Sequence, residues 1–378
     1  MTRAELDRQL KETLERAFVF PEQDSRLLTK MKLKLATVAS PLAEAPDFIK
    51  TCHQQPCARS QCRRRLILLF QDTAPSKTIP VCGLYAYEYM SFNSADEPLQ
   101  RTLYISKVDS TGLLQPRHVQ RKLIETILEA YVSWLLSLDT VPVHIHVLSL
   151  SNPEYLFPAS SQLAHKHMLP GKRLIYWWKQ LLDAVTSKWN SDVVVERYWL
   201  IPGMEHSLLP KEQREDSKWH WGVPYDDDAS ALDVVPRFHD DAMSSCLQRS
   251  VHDDSVSVKT FFGGLLGEAQ EFRASDAGLF VLCAGPREHD TKPDAACSEV
   301  TETEFAALEC LLNIKDGEAS VLTFGTLENA ETSSAALLDL LPVINMELQV
   351  PLDSAKRPAV VQATPVVNVL QVKRRKKV

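Results

Sequence analysis

An α/β fold, a β-sheet with helices packed on it, is what the sequence predicts, and three observations predict it. Short β-branched and aromatic runs, RLILLFQD, VCGLYAYEYMSF and TLYISKVD, are split by Pro, Ser and Asp turns and read as successive strands. A helical apolar spacing then runs through VQRKLIETILEAYVSWLLSL, residues 119–138. VPVHIHVLSL resumes a strand, so strands alternate with helices. At 378 residues, with 44% hydrophobic and 24% charged side chains, the chain can bury a substantial core. The 22 Pro against 12 Gly point to long ordered loops.

Taken in order, the elements begin with MTRAELDRQLKETLERAF, an amphipathic helix pattern without a signal-peptide apolar core. No apolar run is long enough to span a bilayer, so a soluble intracellular protein is expected. The 8 cysteines are scattered, which implies free thiols in a reducing compartment. Cys52, His53, Cys57 and Cys62 lack the second ligand knuckle of a structural zinc site, so TCHQQPCARSQCRRR reads as a polar surface loop closing residues 1–65. In YAYEYMSF, Tyr85, Tyr87 and Tyr89 alternate and share one strand face.

The helix over 119–138 packs on that sheet, with Arg121 and Glu125 four apart on its polar side. His144 and His146 share a face of the next strand, where, with no third ligand near, they suit cross-strand packing. A second helix is expected from Lys172 to Trp189. By residue type alone, Tyr155, Phe157, Trp177 and Trp178 are core aromatics around a strand-loop-helix connection. From Ser191 the chain is loop-rich, and long ordered loops tend to carry function. Gly263, Gly264 and Gly267 in FGGLLGE read as sites of close packing. One domain is expected over 1–378, with a core at 66–290, peripheral helices and a linker at 291–365, and a final strand and basic tail at 366–378.

The formal net charge of -7 argues against general nucleic-acid backbone binding and suits a basic protein partner. The block Lys373, Arg374, Arg375, Lys376 and Lys377 reads either as a solvated tail or as a nuclear-import signal. No phosphate-binding loop, dinucleotide fingerprint, nucleophile elbow or HExxH occurs, which sets aside nucleotide hydrolysis, dehydrogenation and metalloproteolysis.

The ordered set LYISKVDSTGL, ILEAYVSWLLSLD, NPEYLFPASS, HKHMLPGKRLIYWWKQLLD, LIPG, VVPRFHDD, AQEF and VNVLQVKRRKKV resembles the fungal histone H3 lysine-56 acetyltransferases, the regulators of Ty-element transposition. The resemblance runs from about Leu66 to the C-terminus, and YLFP, the KH loop and the Trp pair are its most specific part. It implies an acetyltransferase core with a mixed central β-sheet flanked by helices, akin to the CREB-binding-protein acetyltransferases, with loop-rich and helical C-terminal additions. It further implies acetyl-CoA as cosubstrate without a metal, histone H3–H4 as substrate, and histone chaperones of the nucleosome-assembly and anti-silencing types as partners. A nuclear location, with no membrane or direct nucleic-acid contact, and a role in replication-coupled chromatin assembly and the DNA damage response go with it.

Carried over residue by residue, the resemblance assigns Val108, Asp109, Ser110, Arg117, His118, Val119, Gln120, Arg121, Leu148, Asn152, His167, Met168, Leu169 and Trp177 to the cofactor. It assigns Tyr155 and Trp178 to the wall of a lysine tunnel, and Asp240 and Asp241 to an acidic pair with Asp241 as proton acceptor; Asp109 is a further candidate for that role. The chemistry is consistent. A lysine amine, with a reference pKa of about 10.4, must lose a proton before it attacks acetyl-CoA directly, and neighbouring carboxylates raise one another's pKa. Arg117 and Arg121 at a helix start suit pyrophosphate oxygens, or else are solvated surface arginines.

Asp226, Asp227 and Asp228 read as an exposed turn and Cys246 as a packed thiol. Two departures stand out: DTVP replaces a long basic insertion after Leu138, and Met243 replaces the family's autoacetylated lysine. Transfer to another protein or a small amine, and a non-catalytic H3–H4-binding module, are the alternative readings.

Overall fold

The computed structural model describes residues 3–17, 28–74, 77–113, 117–136, 141–187, 189, 193–249, 256–269, 272, 277–285, 300–314 and 322–351. In chain order the principal elements are α1 (Arg3–Ala17), β1 (Leu28–Ala39), β2 (Arg59–Ala74), β3 (Lys77–Phe92), β4 (Pro98–Ser110), α2 (Arg117–Leu136), β5 (Val143–Ser149), α3 (Gly171–Thr186), β6 (Val195–Leu200), β7 (His220–Trp221), α4 (Ala242–Arg249), β8 (Gly278–Ala284), α5 (Glu302–Leu311), α6 (Leu327–Leu340) and β9 (Val343–Pro351).

The strands form one mixed sheet in the order β7-β6-β8-β5-β4-β3-β2-β1-β9. β4 and β5 run parallel, with α2 as their crossover, and β6 and β7 are parallel; the remaining neighbours are antiparallel. This is the α/β sheet that the strand and helix periodicities predict, mixed as the family resemblance implies.

Side-chain alternation sorts the core into two layers. Leu33, Leu35, Ile67, Leu69, Leu84, Leu103 and Ile105 join α1, α2 and α3 on one face. Val38, Leu66, Leu68, Tyr85, Tyr87, Tyr89 and Tyr104 point to the other, under α4, α5 and α6. The expected shared face of Tyr85, Tyr87 and Tyr89 is therefore present, and all three rings are buried. The helix that follows Ser110 buries Leu123, Ile127, Tyr131 and Trp134 against the first face, while Leu10 and Leu14 of α1 pack into the same layer. No described helix is long and apolar enough to cross a membrane.

Two buried ion pairs tie the layers to the sheet. Arg65 bonds Glu88 on the neighbouring strand, and Tyr131 of α2 donates to the same carboxylate at 2.6 Å. On the other face Arg64 bonds Glu309 of α5 at 2.6 Å, and Tyr85 donates to Glu309 as well.

Several expectations change. The polar loop expected over 51–65 is a small hairpin, Thr51–Cys52 with Gln55–Pro56, followed by the first half of β2. Its basic run misleads because Arg64 and Arg65 are neutralised by Glu309 and Glu88, partners distant in sequence. β1 lies inside the segment read as helix plus loop. The helices beyond Ser298 are not peripheral: Phe305, Leu308 and Leu337 are buried on the tyrosine face. The chain then returns as β9, antiparallel to β1 at the sheet edge. Of the three glycines read as close-packed, only Gly267 is: a Cβ there would sit 2.5 Å from Gly203 Cα, whereas Gly263 and Gly264 face open space. The final strand at 366–378 and its basic tail lie outside the described residues.

Candidate active site

A cleft of about 100 Å³ opens where β4 ends. Its apolar wall is Val108, Ile124, Leu169, Leu174 and Trp177, and its polar side includes Ser110, Asn152, Tyr155, Lys166 and His167. β4 carries Val108, Asp109 and Ser110 to this point because the strand runs on beyond β5, its parallel neighbour, whose pairing stops opposite Ile105. The chain then turns at Gly112, whose φ of +79° suits glycine. A Cβ at Gly112 would lie 2.5 Å from Lys166 N, so the absence of a side chain lets the 165–169 loop seat against the end of the strand.

Asp109 organises this junction. One carboxylate oxygen accepts the N–H groups of Tyr155, Leu156 and Phe157 at 2.9, 2.9 and 3.3 Å. The other accepts Ser110 N–H at 2.7 Å and the Lys166 ammonium at 2.8 Å, and Lys166 also donates to Ser160 Oγ at 2.6 Å. Both Asp109 and Lys166 are buried, with side chains 5% and 6% exposed. A carboxylate so fully engaged holds the NPEYLFP turn in place and has no lone pair facing an incoming amine. These bonds suit Asp109 to positioning the turn and fit poorly with a proton acceptor, its second expected role.

The same turn fixes Tyr155. Its hydroxyl donates to Leu150 O and accepts Asn152 N–H at 3.0 Å. Burial, with the Asp109 charge adding to it against the Asn152 bond, pushes the phenol up to about 12, so it stays neutral. The hydroxyl is a fixed neutral group at the cleft wall.

The structure gathers Val108, Asp109, Ser110, Asn152, Tyr155, His167, Met168, Leu169 and Trp177 around this one cleft. Other expected cofactor residues do not line it. Val119 is core, 1% exposed, because it faces the sheet from the first turn of α2. Gln120 and Arg121 lie on the outer side of that turn, and Leu148 points to the tyrosine face. The side chains of Arg117 and His118 lie outside the described residues. Trp178 is also core, 6% exposed beside Leu174 and Leu181; successive helical residues diverge by about 100°, so Trp177 reaches the cleft and Trp178 does not. Lys166, Ile124, Pro153 and Leu174 line the cleft without having been singled out; the Lys between two His of HKH was the available signal for the first.

The acidic pair lies over the tyrosine face of the sheet, the face to which Lys107 and Asp109 also point. Residues 237–241 lie over the tyrosines: Phe238 stacks on Tyr104 at 4.3 Å, and the His239 ring meets Tyr89 OH at 3.0 Å. Asp240, with a positive φ of 57°, turns outward and bonds Lys107 Nζ at 2.6 Å. Asp241 is buried and caps α4, accepting Ser244 N–H at 2.9 Å and Ser244 Oγ–H at 2.8 Å, with Tyr104 OH at 3.4 Å. Burial pushes its carboxyl above the usual range, against the pull of those hydrogen bonds. Trp178, expected at the wall of a lysine tunnel, lies in the core layer on the other side of the sheet from this pair. The link that does exist is β4, where Lys107 and Asp109 lie on one face roughly 7 Å apart.

Met243, in place of the family's lysine, is 2% exposed and packed in the same layer as Phe238. Asp226, Asp227 and Asp228 form an exposed turn, closed by Asp228 N–H to Asp226 at 2.9 Å, and Cys246 is buried, as their sequence contexts indicated. His144 and His146 are buried, His146 against Phe238, and burial depresses both imidazoles. Among the described residues no group of three or more His, Cys, Asp or Glu is placed to hold a metal ion.

Residues 137–316 match the model of the histone acetyltransferase KAT11-type domain, a span that includes the NPEYLFP turn, the HKH loop, α3 and the acidic pair. The chain is similar in sequence to curated Rtt109 histone acetyltransferases. It is 28% identical over 155 residues to histone acetyltransferase RTT109 of Candida albicans, covering 40% of this chain and 42% of that one. The Schizosaccharomyces pombe rtt109 is 24% identical over 200 residues, with 48% and 52% covered, and the Aspergillus flavus rtt109 is 27% identical over 208 residues, with 46% and 36% covered. The chain thus spans about half or less of the length of these curated relatives. The crystal structure of Rtt109 from Aspergillus fumigatus superposes with a TM-score of 0.67 over 90% of this chain and 98% of that one, at 19% identity. That match establishes an Rtt109-type fold.

Proposed function

We propose that this chain is a histone lysine acetyltransferase that transfers acetyl from acetyl-CoA to a lysine of histone H3, of the lysine-56 type, within H3–H4. The observation that carries the reading is the cleft at the end of β4, around which Val108, Ser110, Asn152, His167, Met168, Leu169 and Trp177 converge. Its dimensions and apolar wall suit the thin pantetheine arm. The 20-residue α2 begins a few residues beyond Ser110, and the N–H groups of its first turn, which have no partner within the helix, suit pyrophosphate oxygens.

Bound acetyl-CoA would supply an activated acetyl group at that cleft. Asp109, Lys166 and Tyr155 hold the cleft's shape, and Trp177, Leu169 and Val108 exclude water from it. Asp241, with Asp240 at its side, is the proposed proton acceptor, and its raised pKa supports that assignment. The net charge of -7 suits a basic substrate. Histone chaperones of the nucleosome-assembly and anti-silencing types as activating partners, and a nuclear location, complete the proposal.

The test is labelled acetyl-CoA incubated with H3–H4, with and without chaperone, and read by site-resolved mass spectrometry. Acetylation of H3 at one lysine is the expected result. Acetyl-CoA binding with label passing only to small amines or to another protein would replace the histone assignment, and no acetyl-CoA binding would remove the enzyme.

A further inference from the structure

A second cleft, about 350 Å³ in volume, lies on the tyrosine face between residues 45–48 and the segment from Arg237 to Gln248. We propose that Arg237 in this cleft is a substrate-binding residue whose guanidinium donates to backbone carbonyl oxygens of a basic segment of the protein substrate. The proposal deepens the acetyltransferase reading and rests on it for the identity of that substrate.

The guanidinium is the observation that points to a ligand. Its Nε and Nη2 are buried and have no hydrogen-bond partner among the described residues. Buried N–H donors without acceptors are costly, and most find partners in a folded protein. Here the surrounding structure holds them at a cleft wall. Arg237 N–H donates to Phe48 O at 2.7 Å, and the next residue donates its N–H to Ser244 Oγ at 2.8 Å while its ring stacks on Tyr104. Phe48 in turn stacks on Tyr89 at 3.9 Å. The fork is thereby held on a rigid base before any partner arrives.

The remaining side chains select the kind of acceptor. Asp47, Asp240 and Asp241 line the same cleft, three carboxyl groups against the Arg237 guanidinium and the Lys107 ammonium paired to Asp240, so a phosphate or free carboxylate would meet no excess of positive charge. A neutral peptide carbonyl needs no such excess. Asp47 is exposed at the rim, where it can pair with a cationic side chain flanking that carbonyl, and Asp240, exposed beside Lys107, adds a second carboxylate there. A lysine- or arginine-rich segment, bound through its backbone at Arg237 and its side chains at the aspartates, is the ligand this combination fits. Asp240 also joins the cleft to β4 through Lys107, so a segment held here lies beside the strand that ends at the cofactor cleft.

The experiment compares wild type, Arg237→Gln and Arg237→Lys in fluorescence anisotropy with labelled H3–H4, together with acetyl-CoA calorimetry and thermal melts. The glutamine variant should bind H3–H4 about tenfold or more weakly, as expected for loss of a charge-assisted hydrogen bond, with lysine intermediate because it keeps the charge and loses the fork. Acetyl-CoA affinity should not change, and the melting temperature should hold or rise, because unpaired buried donors have been removed. Unaltered H3–H4 affinity in Arg237→Gln, or no H3–H4 binding by wild type, overturns the proposal. So does a loss of affinity that accompanies a lower melting temperature and weaker acetyl-CoA binding. Acetyl transfer by wild type is scored separately: an active enzyme indifferent to Arg237→Gln sinks only this inference, and an inactive one that binds H3–H4 through Arg237 sinks only the acetyltransferase reading.

Discussion

Asp109→Asn removes one charge from the most heavily bonded carboxylate of the candidate site. In the wild type one oxygen accepts three backbone N–H groups, from Tyr155, Leu156 and Phe157, and the other accepts Ser110 N–H and Lys166. The amide can keep its carbonyl oxygen toward the three N–H groups, but its NH₂ then faces two donors, Ser110 N–H and the ammonium. Lys166, 6% exposed, is left as a buried charge whose remaining partner is Ser160. Breaking a buried pair in this way costs about 3–5 kcal/mol. With an unfolding entropy near 2.1 cal/mol/K per residue, that corresponds to a fall in melting temperature of roughly 4–6 °C for a chain of this size. Differential scanning calorimetry measures the shift, and titration with acetyl-CoA measures the cleft, whose affinity should fall at least tenfold as the NPEYLFP turn loosens. If Asp109→Asn melts within a degree of wild type and binds acetyl-CoA normally while turnover disappears, Asp109 is a proton carrier and the positioning argument fails.

Asp241→Asn should preserve α4, because asparagine also caps helices, and should lower turnover by about a hundredfold or more, the usual worth of a general base. The wild-type rate should rise with pH through a value above the ordinary carboxylate range, set by burial of Asp241, and that rise should vanish in the variant; an unchanged pH profile would remove Asp241 from the chemistry. Trp178→Ala should cost about 3–5 kcal/mol in stability, as for a large core cavity, with turnover per folded molecule within twofold of wild type. A tenfold loss of turnover in protein that is still folded would return Trp178 to the site. Glu88 is held at about 2: burial opposes its ionisation, and the Arg65 guanidinium with the Tyr131 hydroxyl overcomes that opposition. A carboxylate with a depressed folded pKa contributes stability above its unfolded value near 4.5 and loses it as pH falls toward 2. Glu88→Gln should therefore lower the melting temperature at pH 7 and converge with wild type near pH 2; a constant gap across that window would contradict the ion-pair account.

Local periodicity carried much of this protein's architecture. The alternation in YAYEYMSF placed three tyrosines on one face, and the apolar spacing after Ser110 packed α2 on the sheet, because period two and period 3.6 are consequences of backbone geometry alone. The cleft was legible through motif order: SKVDSTG, NPEYLFP and HKHMLPG each supply a few lining residues. What those stretches could not reveal is how one carboxylate, Asp109, joins them, since its partners other than Ser110 lie 46 to 57 positions away. The same limit hid β2, whose arginines look solvent-seeking until Glu88 and Glu309 arrive from other strands and helices. It also set Trp178 beside Tyr155 as a tunnel wall, although Trp178 packs into the core layer with Leu174 and Leu181. Adjacent positions on a helix, and neighbouring segments of a motif, can face opposite sides of a layer. Which side each takes is decided by the packing of the whole chain, through contacts that no local pattern encodes.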